Sequence, residues 1–467
     1  MKKLNFIIKY GLALLLLSFY SCESWLNVTP SDRLSEEMLF NDREGFVKAL
    51  NGVYIELNTN ELYGRNLTAG ALDVMGQYYS VASSSHAFYN YGGLVYTGND
   101  EKALFDNMWQ KCYAVIACCN TIIEKCDENK AGLSPVWKGS IKGEALALRA
   151  MLHFDMLRLF GPLTSELDKE SIPYQTNSDQ TVTPLLSGSE VIGLILDDLK
   201  NAVGLLKDTD PYFVEEEFSD TDLNYRRFRM NYFAAKGLMA RVQLWGGDKE
   251  KAAATAKEVI AEGQAEGAEF FPFVTNSEAT SSNPDRVFYS EVLFGTYHSS
   301  REKLHEDLFA PTLESTSILT LAGTARRDDL YDNENDYRYS VWSTYNKNGT
   351  SVLYHRKFEK QDNVTASRQY MIPLIRMSEM YLIAVECCKL DEASVYLNTF
   401  RNARNCNSLA LTEDNRINIL ANEYKKEMLG EGQLFFFYKR QEMVNIPDGN
   451  QATGTKNVEL AKYVVPL

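Results

Sequence analysis

The sequence has few of the residues and motifs from which most enzyme active sites are built. Only five of its 467 residues are histidines, and they are scattered along the chain. The stretch from His305 to Phe309 is not an HExxH zinc motif, because Phe309 occupies the place of the second His. No G-x-S-x-G turn and no phosphate-binding Gly loop occurs. We therefore expect no catalytic residue, no metal and no cofactor, although the many carboxylates leave a glycosidase-type acid pair open.

Positive charge is also scarce. Lys and Arg number 48 against 63 Asp and Glu, which gives a net charge of −15. Three of the lysines, Lys2, Lys3 and Lys9, precede Cys22, so the chain from Cys22 onward carries a net charge of −18. A surface this acidic repels phosphate backbones. We therefore expect no nucleic acid among the partners of this protein.

Long apolar stretches are absent except at the N-terminus. The stretch from Gly11 to Phe19 is too short to span a bilayer, and with the preceding lysines it has the layout of a secretory signal. Ser21 and Cys22 follow at once, as in a lipobox whose Cys becomes the acylated N-terminus, although Phe19 departs from the usual Leu. We predict a lipoprotein signal peptide over residues 1–21 and lipidation of Cys22, which would anchor the protein to a membrane surface. Plain secretion with an incidental Cys is the alternative.

Cysteine is used sparingly and without metal-binding spacing. Seven cysteines remain after Cys22, and no CxxC pair occurs among them. Three share one face of a predicted helix, at intervals of seven residues: Cys112, Cys119 and Cys126. This placement favours buried thiols that act as small apolar side chains. For three others, a disulfide is an alternative, because exported proteins can form disulfides: Cys387, Cys388 and Cys406.

The most distinctive stretch begins at Glu144 and reads EALALRAMLHFDMLRLFGPL. Its first seventeen residues contain no Gly or Pro, which predicts a helix that ends at a left-handed Gly161 before Pro162. Apolar side chains cover almost its whole circumference, which is typical of a buried helix. Its charged residues then need partners, and Asp155 and Arg158 stand three apart, where they can pair. We expect a structural core helix that takes no part in chemistry.

Helical periodicity recurs in blocks along the rest of the chain. It predicts helices at about residues 41–57, 101–127, 137–160, 189–207, 229–245, 249–263, 376–388, 391–404 and 414–429. Two successive pairs, 229–245 with 249–263 and 376–388 with 391–404, resemble tetratricopeptide units, which stack because none buries its apolar face alone. The predicted fold is mainly α. It consists of stacked tetratricopeptide-like helical hairpins around a buried helix, with long irregular loop insertions and a few short strands.

Two long segments interrupt the helices. Residues 59–100 are rich in Gly, Ser and aromatic residues, which predicts a functional loop rather than a disordered one. Residues 265–372 are mixed, with strand candidates at 287–295 and 350–358. The acidic run from Asp328 to Asp336 lacks the central Gly and the final Glu of an EF-hand loop. We expect a solvated acidic loop there rather than a calcium site.

Four stretches carry motifs that one family shares. Residues 148–163 contain an Arg-Ala…aromatic-Asp-x-Leu-Arg-Leu-Phe-Gly run, and residues 49–54 read Ala-Leu-Asn-Gly-x-Tyr. Residues 366–386 contain Pro-x-x-Arg-x-x-Glu-x-Tyr-Leu-x-x-x-Glu, and residues 423–440 are similar to a further segment, with Leu434 and Phe437 where Arg and Asp are usual. In this order, and behind a lipoprotein leader, these stretches resemble the SusD/RagB group of outer-membrane nutrient-binding lipoproteins. The two departures weaken a local charge pair.

The resemblance implies a single SusD-like domain over residues 22–467, with an N-terminal section at about 23–215 and a C-terminal SusD/RagB section at about 270–467. Members of the family lie on the outer face of the Gram-negative outer membrane, bind glycans or sometimes peptides, and cover a SusC-like TonB-dependent transporter. They are not enzymes. We expect, by resemblance, a lipid-anchored surface protein that captures oligo- or polysaccharide and passes it to such a transporter. A surface glycoside hydrolase, or a tetratricopeptide-type scaffold that binds only protein or peptide, is the alternative.

Aromatic side chains are the candidate ligand contacts, because a sugar presents an apolar face on which a ring can lie. A ring that covers about 40–50 Å² of sugar contributes roughly 1 kcal/mol at about 25 cal/mol per Å². The first irregular segment supplies six rings: Tyr78, Tyr79, Phe88, Tyr89, Tyr91 and Tyr96. Trp342 and Tyr345 in the second segment are further candidates, followed by Tyr297. The alternative for each ring is that it packs on the scaffold.

Overall fold

The computed structural model describes residues 36–179, 181–267 and 269–466. The predicted signal peptide and the predicted lipidation site Cys22 lie outside the described residues, so both stay predictions. About 53% of the described residues are helical and 9% are in strands. The predicted mainly α fold, with helical hairpins around a buried helix and a few short strands, is confirmed.

The described residues form eighteen α-helices. In chain order they are α1 (Glu36–Leu39), α2 (Arg43–Leu57), α3 (Ala71–Met75), α4 (Tyr89–Gly92), α5 (Asn99–Glu128), α6 (Pro135–Phe160), α7 (Gly188–Thr209), α8 (Asp220–Asn224), α9 (Tyr232–Trp245), α10 (Lys249–Gly263), α11 (Asn276–Thr280), α12 (Arg301–Leu308), α13 (Thr324–Leu330), α14 (Ala366–Gln369), α15 (Met377–Cys387), α16 (Leu390–Asn402), α17 (Arg416–Glu427) and α18 (Gln433–Arg440). The nine helices expected from periodicity are all present, with ends shifted by a few residues. The aromatic run before residue 440 adds the last helix.

Helix α6 is the centre of the fold. Every residue from 143 to 160 is buried, and the helix packs mainly against α5 and α7. Ser134 caps its start by accepting a hydrogen bond from the backbone N–H of Trp137. Pro135 occupies the first turn, where no backbone donor is needed. The prediction of a buried core helix is confirmed.

The end of α6 differs from the expectation. Gly161 is extended, with φ −75° and ψ 171°, so the predicted left-handed cap is wrong. Glycine is required for space instead, because a Cβ there would lie 2.5 Å from the carbonyl oxygen of Leu157. The predicted pair between Arg158 and Asp155 is present and buried. The charges inside this helix are therefore compensated, as burial demands.

The two predicted helical hairpins lie side by side. Helix α9 is joined to α10 by a short turn in which Gly247 has φ +82° and Asp248 caps α10. Helix α15 packs against α16 in the same manner, and α10 also packs against α15. Small residues at these contacts, such as Ala240, Ala252 and Ala393, are fully buried. The pairs thus cover each other's apolar faces.

Eight short strands in the described residues form four two-stranded antiparallel sheets. They are β1 (Glu170–Pro173) with β2 (Leu185–Ser187), β3 (Val292–Tyr297) with β6 (Met371–Arg376), β4 (Trp342–Lys347) with β5 (Thr350–His355), and β7 (Asn445–Pro447) with β8 (Thr455–Asn457). The predicted strand candidates overlap β3 and β5. Strand β6 runs directly into α15 and was not among the predicted strand candidates.

One continuous apolar core extends from Phe40 to Val465. Both irregular segments contribute to it, and the first contains α3 and α4. The seven described cysteines are free thiols, and the predicted buried row on α5 is confirmed, so the described residues hold no disulfide. Within the described ranges, no helix is long and apolar enough to cross a membrane.

Charged residues of the C-terminal half form one linked and largely buried network around Glu427. Its six cations are Arg338, Lys357, Arg376, Arg401, Arg404 and Lys426, and its six carboxylates are Glu291, Asp332, Asp336, Glu423, Glu427 and Glu431. Asp332 and Asp336 lie in the run that was expected to be solvated. The expectation is wrong for Asp336, which is buried and paired with Arg338. Asp332 is exposed, as expected, and it also pairs with Arg401 and Lys426.

Candidate functional site

Most rings predicted as ligand contacts in the first segment are buried. Five of them are between 1% and 7% exposed: Tyr78, Tyr79, Phe88, Tyr91 and Tyr96. Tyr89, at the start of α4, is 43% exposed. The expectation that the rings offer open faces to a ligand is therefore wrong for the five buried residues. It stays a prediction for Tyr89.

Contacts with distant parts of the chain hold these rings inside. The Tyr96 hydroxyl donates to the carbonyl of Lys462 at 2.8 Å, and its ring meets Phe105 edge-on at 5.5 Å. The Tyr78 hydroxyl donates to the carbonyl of Tyr424 at 3.2 Å. Burial raises the pKa of both tyrosines. The segment is thus built into the scaffold, and its aromatic content is explained by packing.

Asp73 on α3 ties the same segment to the C-terminal half. Its carboxylate accepts hydrogen bonds from the backbone N–H groups of Gly430 at 2.6 Å and Gly432 at 2.9 Å. The Tyr79 hydroxyl donates to it at 3.3 Å. Burial raises the pKa of Asp73 to about 7, against the lowering effect of these N–H groups. This carboxylate is committed to holding the chain together and does not face a ligand.

The second pair of candidates lies on one hairpin but in different surroundings. Trp342 begins β4, is buried, and lies 5.3 Å from the ring of His355. Tyr345, three residues on, is 45% exposed. The expectation of an open ring face is wrong for Trp342, because the base of the hairpin packs on the core. It stays a prediction for Tyr345.

The geometry of this hairpin decides what surrounds Tyr345. Asn348 and Gly349 connect β4 to β5 with φ +52° and +87°, the signature of a two-residue turn that matches strand twist. The register pairs Tyr345 with Val352 and Lys347 with Thr350. Directly opposed residues share a face of the sheet, as do alternate residues of one strand. Tyr345, Lys347, Thr350 and Val352 therefore lie on one face.

That face borders a groove of about 830 Å³, the candidate functional site. One wall consists of residues 313–324, the other is the β4–β5 hairpin, and Ser80 lies at the wall as well. Lys347, Thr350 and Val352 line the groove, and Tyr345 lies on the same hairpin without lining the groove itself. A volume of this size lies within the range of small-ligand sites.

Hydrogen bonds fix the walls of the groove relative to each other. The Lys347 ammonium donates to the carbonyl of Leu313 at 2.9 Å and to the carboxylate of Glu314 at 3.0 Å. The Thr320 hydroxyl donates to the carbonyl of Leu353 at 2.6 Å, and the Ser80 N–H donates to the carbonyl of Thr320 at 2.7 Å. The groove is thus largely pre-formed.

His86 connects the groove wall to the first segment. Its Nδ1 accepts from the N–H of Phe88 at 3.1 Å, so its Nε2 is the donor to the carbonyl of Ile318 at 3.2 Å. Burial lowers the pKa of His86, and the Ile318 carbonyl partly opposes that change. The imidazole is therefore neutral near pH 7, and its two hydrogen bonds join the first irregular segment to the groove wall at Ile318.

The lining of the groove is chemically suited to a polyhydroxylated ligand. Seven of its sixteen residues are Ser or Thr, among them Thr344 and Ser351 on the hairpin. Hydroxyls both donate and accept hydrogen bonds, as sugar hydroxyls do. Leu313, Ile318 and Val352 supply apolar surface between them. Glu314 is the one carboxylate among the residues described as lining the groove.

Aromatic content alone did not locate this groove. The alternation in Trp-Ser-Thr-Tyr-Asn-Lys, followed by Asn348-Gly349, is the sequence signal that would have predicted a β-hairpin at 342–355. The opposing wall, residues 313–324, is mostly irregular and carries no such signal. Its place beside the hairpin follows only from the tertiary contacts of Lys347 and Thr320.

Comparison with known families agrees with the architecture. A family model described as starch-binding and associating with the outer membrane matches residues 24–244. A second model, described as the SusD family, matches residues 283–462. The chain belongs to the SusD/RagB family. Together the two matches span 401 of the 467 residues, and they confirm the resemblance drawn from the sequence motifs. The SusD family is one of carbohydrate-binding, non-catalytic proteins.

Individual SusD relatives are distant. SusD-like protein P2 from Formosa agariphila is 26% identical over 265 residues, which cover 55% of this chain and 46% of that protein. The chain thus spans less than half the length of the curated relatives it matches. A SusD-like carbohydrate binding protein from Bacteroides vulgatus has a TM-score of 0.70 at 20% identity, over 91% of this chain and 95% of that chain. A laminarin binding SusD-like protein has a TM-score of 0.63 at 18% identity, over 88% and 93%. These structural likenesses establish the fold.

Proposed function

We propose that this protein is a cell-surface glycan-binding lipoprotein that captures oligo- or polysaccharide in the groove between residues 313–324 and the β4–β5 hairpin. The single observation that carries the proposal is this pre-formed, hydroxyl-rich groove of about 830 Å³, with the exposed ring of Tyr345 on the hairpin that forms one of its walls, in a chain of the SusD family. A structural neighbour described as a laminarin binding SusD-like protein supports a glycan as the ligand class.

The affinity expected from this site is modest. A tyrosine that covers about 40–50 Å² of a sugar face contributes roughly 1 kcal/mol at about 25 cal/mol per Å². One exposed ring, Tyr345, with a few hydrogen bonds from the Ser and Thr lining at about 1 kcal/mol each, brings the total to about −4 kcal/mol at most, which corresponds to millimolar affinity or weaker. Weak binding of this kind suits a protein that must release its ligand to a transporter.

A surface glycoside hydrolase is disfavoured by the composition of the groove. Hydrolysis of a glycosidic bond uses two carboxyl groups that flank the bond. Of the described residues that line the groove, only Glu314 is a carboxylate, and Lys347 already binds it. Binding without cleavage is therefore the function that this chemistry supports.

The cellular setting belongs to the same proposal. We propose cleavage of residues 1–21, acylation of Cys22, and anchoring at the outer membrane with the folded domain, residues 22–467, facing outward. The domain would cover a SusC-like TonB-dependent transporter and hand the glycan to it. Labelling with palmitate in cells should depend on Cys22, and Cys22→Ser should remove both the label and the membrane association. Membrane association that persists in Cys22→Ser would contradict the anchor.

Affinity electrophoresis tests the binding site. The chain from residue 23, which keeps every described residue, is run through gels that contain different polysaccharides. Tyr345→Ala should reduce retardation by the bound polysaccharide, with affinity weakened about fivefold for a loss of roughly 1 kcal/mol. Tyr225→Ala is the matched control, because Tyr225 is 38% exposed and does not line the groove. Equal loss in both variants would move the site away from the hairpin.

The alternatives have distinct outcomes in the same experiment. Release of shorter products from the retarding polysaccharide would support the hydrolase. The absence of retardation by every glycan, with the protein still retained on a SusC-like barrel, would support a scaffold that binds only protein or peptide.

A further inference from the structure

A second and smaller cavity adjoins the groove. It has a volume of about 200 Å³, several times the roughly 30 Å³ that a water molecule occupies in the liquid. Leu321 lines both spaces, and α13, which follows it, supplies Arg326 to the small cavity and Thr324 to the groove. Lys425 of α17 and Thr455 of β8 also line the small cavity.

Arg326 is exceptional among the buried arginines of this protein. It is 7% exposed, and within the described ranges its guanidinium has neither an ion pair nor a hydrogen bond. The other eleven buried arginines of the described chain all have a partner: Arg149, Arg158, Arg226, Arg241, Arg286, Arg301, Arg338, Arg376, Arg401, Arg404 and Arg416. Desolvating a cation without compensation is unfavourable, so this site lacks its counter-charge.

Lys425 places a second positive charge in the same wall. In the described part of the chain it too has no ion pair or hydrogen bond of its side chain. Burial lowers its pKa to about 8, and the Arg326 charge lowers it further while Asp329 opposes the change. Asp329 also lines the cavity, but it is exposed and forms no ion pair with either cation among the described residues.

The Tyr438 hydroxyl adds an unused hydrogen-bonding group nearby. It is buried, and no described residue accepts from it or donates to it. Burial raises the pKa of Tyr438, and the Arg326 charge opposes that change. The two cations in the wall of this small cavity are donors of the kind from which oxyanion sites are built, and the Tyr438 hydroxyl lies outside the cavity lining.

We propose that the cavity lined by Arg326 and Lys425 binds an oxyanion carried by the captured glycan, either the carboxylate of a uronic acid or a sulfate ester. Arginine binds such groups through two parallel N–H donors, and lysine adds a point charge. The net charge of the whole protein is −15, so this attraction is local to the cavity rather than a property of the surface. The proposal rests on the proposed glycan-binding function and names the chemical class of its ligand.

The experiment compares three sugars that differ in charge: glucose, glucuronic acid and glucose 6-sulfate. Their affinities for the chain from residue 23 are measured by NMR titration at fixed ionic strength. We expect one or both acidic sugars to bind at least tenfold more tightly than glucose. The two acidic arms distinguish a carboxylate from a sulfate ligand.

Two variants locate the preference. Arg326→Gln and Lys425→Gln should each reduce the affinity for the acidic sugar about tenfold and leave glucose unchanged. Arg327→Gln is the matched control, because Arg327 lies on the same helix but pairs with Asp328 outside the cavity. Far-UV circular dichroism verifies folding, and Lys425→Gln keeps the test decisive if Arg326→Gln misfolds. A preference that survives both variants, or that Arg327→Gln also removes, would overturn the proposal.

The outcomes separate this proposal from the function on which it rests. Retardation by neutral polysaccharide without any preference for acidic sugars would overturn the oxyanion site and leave the glycan-binding function standing. Binding of inorganic sulfate that Arg326→Gln abolishes, without binding of any sugar, would support the oxyanion site and overturn the glycan as its source.

Discussion

Replacing Glu427 by glutamine tests the view that the buried ion network stabilises the C-terminal half as one balanced unit. Glu427 is completely buried and contacts three arginines: Arg404 at 2.7 Å, Arg338 at 3.1 Å, and Arg376. Glutamine keeps the size and shape of the side chain, so no cavity is created. The substitution removes one of six carboxylates and leaves six cations without a full set of counter-charges.

The structure sets the expected magnitude. Removing one partner from a buried ion pair costs about 3–5 kcal/mol, because the remaining charge stays buried without compensation. Against a typical unfolding free energy of about 5–15 kcal/mol, Glu427→Gln should remove roughly a fifth or more of the stability. The equilibrium constant for unfolding should rise by about two to four orders of magnitude, at roughly 1.4 kcal/mol for each factor of ten.

Urea unfolding of the chain from residue 23, followed by far-UV circular dichroism at pH 7, measures this change. Glu302→Gln is the matched control, because Glu302 forms an exposed pair with Lys360 at 3.0 Å. Exposed pairs contribute only about 0–1 kcal/mol. If Glu427→Gln costs no more than Glu302→Gln, the network is not a balanced unit and the reasoning fails.

The pH dependence gives a second check on the same variant. Burial would raise the pKa of Glu427, but Arg404 and Arg376 hold it well below its ordinary value of 4.5. A carboxylate with a lowered pKa stabilises the folded state above its unfolded pKa, and that stabilisation is lost as the pH falls. The difference between wild type and Glu427→Gln should therefore shrink below about pH 4.5.

Three further predictions follow from single sites. Tyr91→Ala should lower the free energy of unfolding by about 3–5 kcal/mol, as truncation of a buried aromatic side chain does. It should leave glycan retardation of the folded fraction unchanged, whereas Tyr345→Ala should do the reverse. Reduced retardation by well-folded Tyr91→Ala would refute the assignment of Tyr91 to the core. Burial lowers the pKa of Lys439 to about 7, so between pH 7 and 10.5 the unfolded state binds this proton more strongly than the folded state does. The free energy of unfolding should therefore rise between pH 7.5 and 9.5 by roughly 1–3 kcal/mol more in wild type than in Lys439→Met. Equal shifts of the urea midpoint in both proteins would contradict this prediction. Cys118 is the exposed thiol of the described seven, so iodoacetamide should label it first and Cys118→Ser should abolish the fast phase seen by mass spectrometry.

The helical framework could be predicted because its signals are local. The apolar residues of α6 cover its whole surface, so its burial follows from composition without knowledge of its neighbours. Asp155 and Arg158 are three residues apart, so their pairing also follows from helix geometry. The partner of Arg149 could not be found in this way, because Asp198 lies on a different helix.

The family motif residues also separate what local sequence predicts from what only distant contacts decide. Arg376, Glu379 and Glu386 belong to the pattern that resembles the SusD/RagB family, and the pattern alone gives them no physical role. In the structure, each is one half of a buried ion pair, with Glu427, Arg241 and Arg440 respectively. Their partners lie 51, 138 and 54 residues away, beyond the reach of any periodicity argument.

The sequence by itself determined the helices, the central buried helix and the family, because periodicity and motifs are properties of neighbouring residues. The lipoprotein leader stays a prediction. Only the tertiary structure decided which aromatic rings face solvent. Tyr78 and Tyr345 are the same residue type in similar irregular segments, yet Tyr78 is buried through a contact 346 residues away and Tyr345 stands open on a hairpin. Whether a ring is scaffold or ligand contact depends on what packs against it, and that depends on parts of the chain far away in sequence.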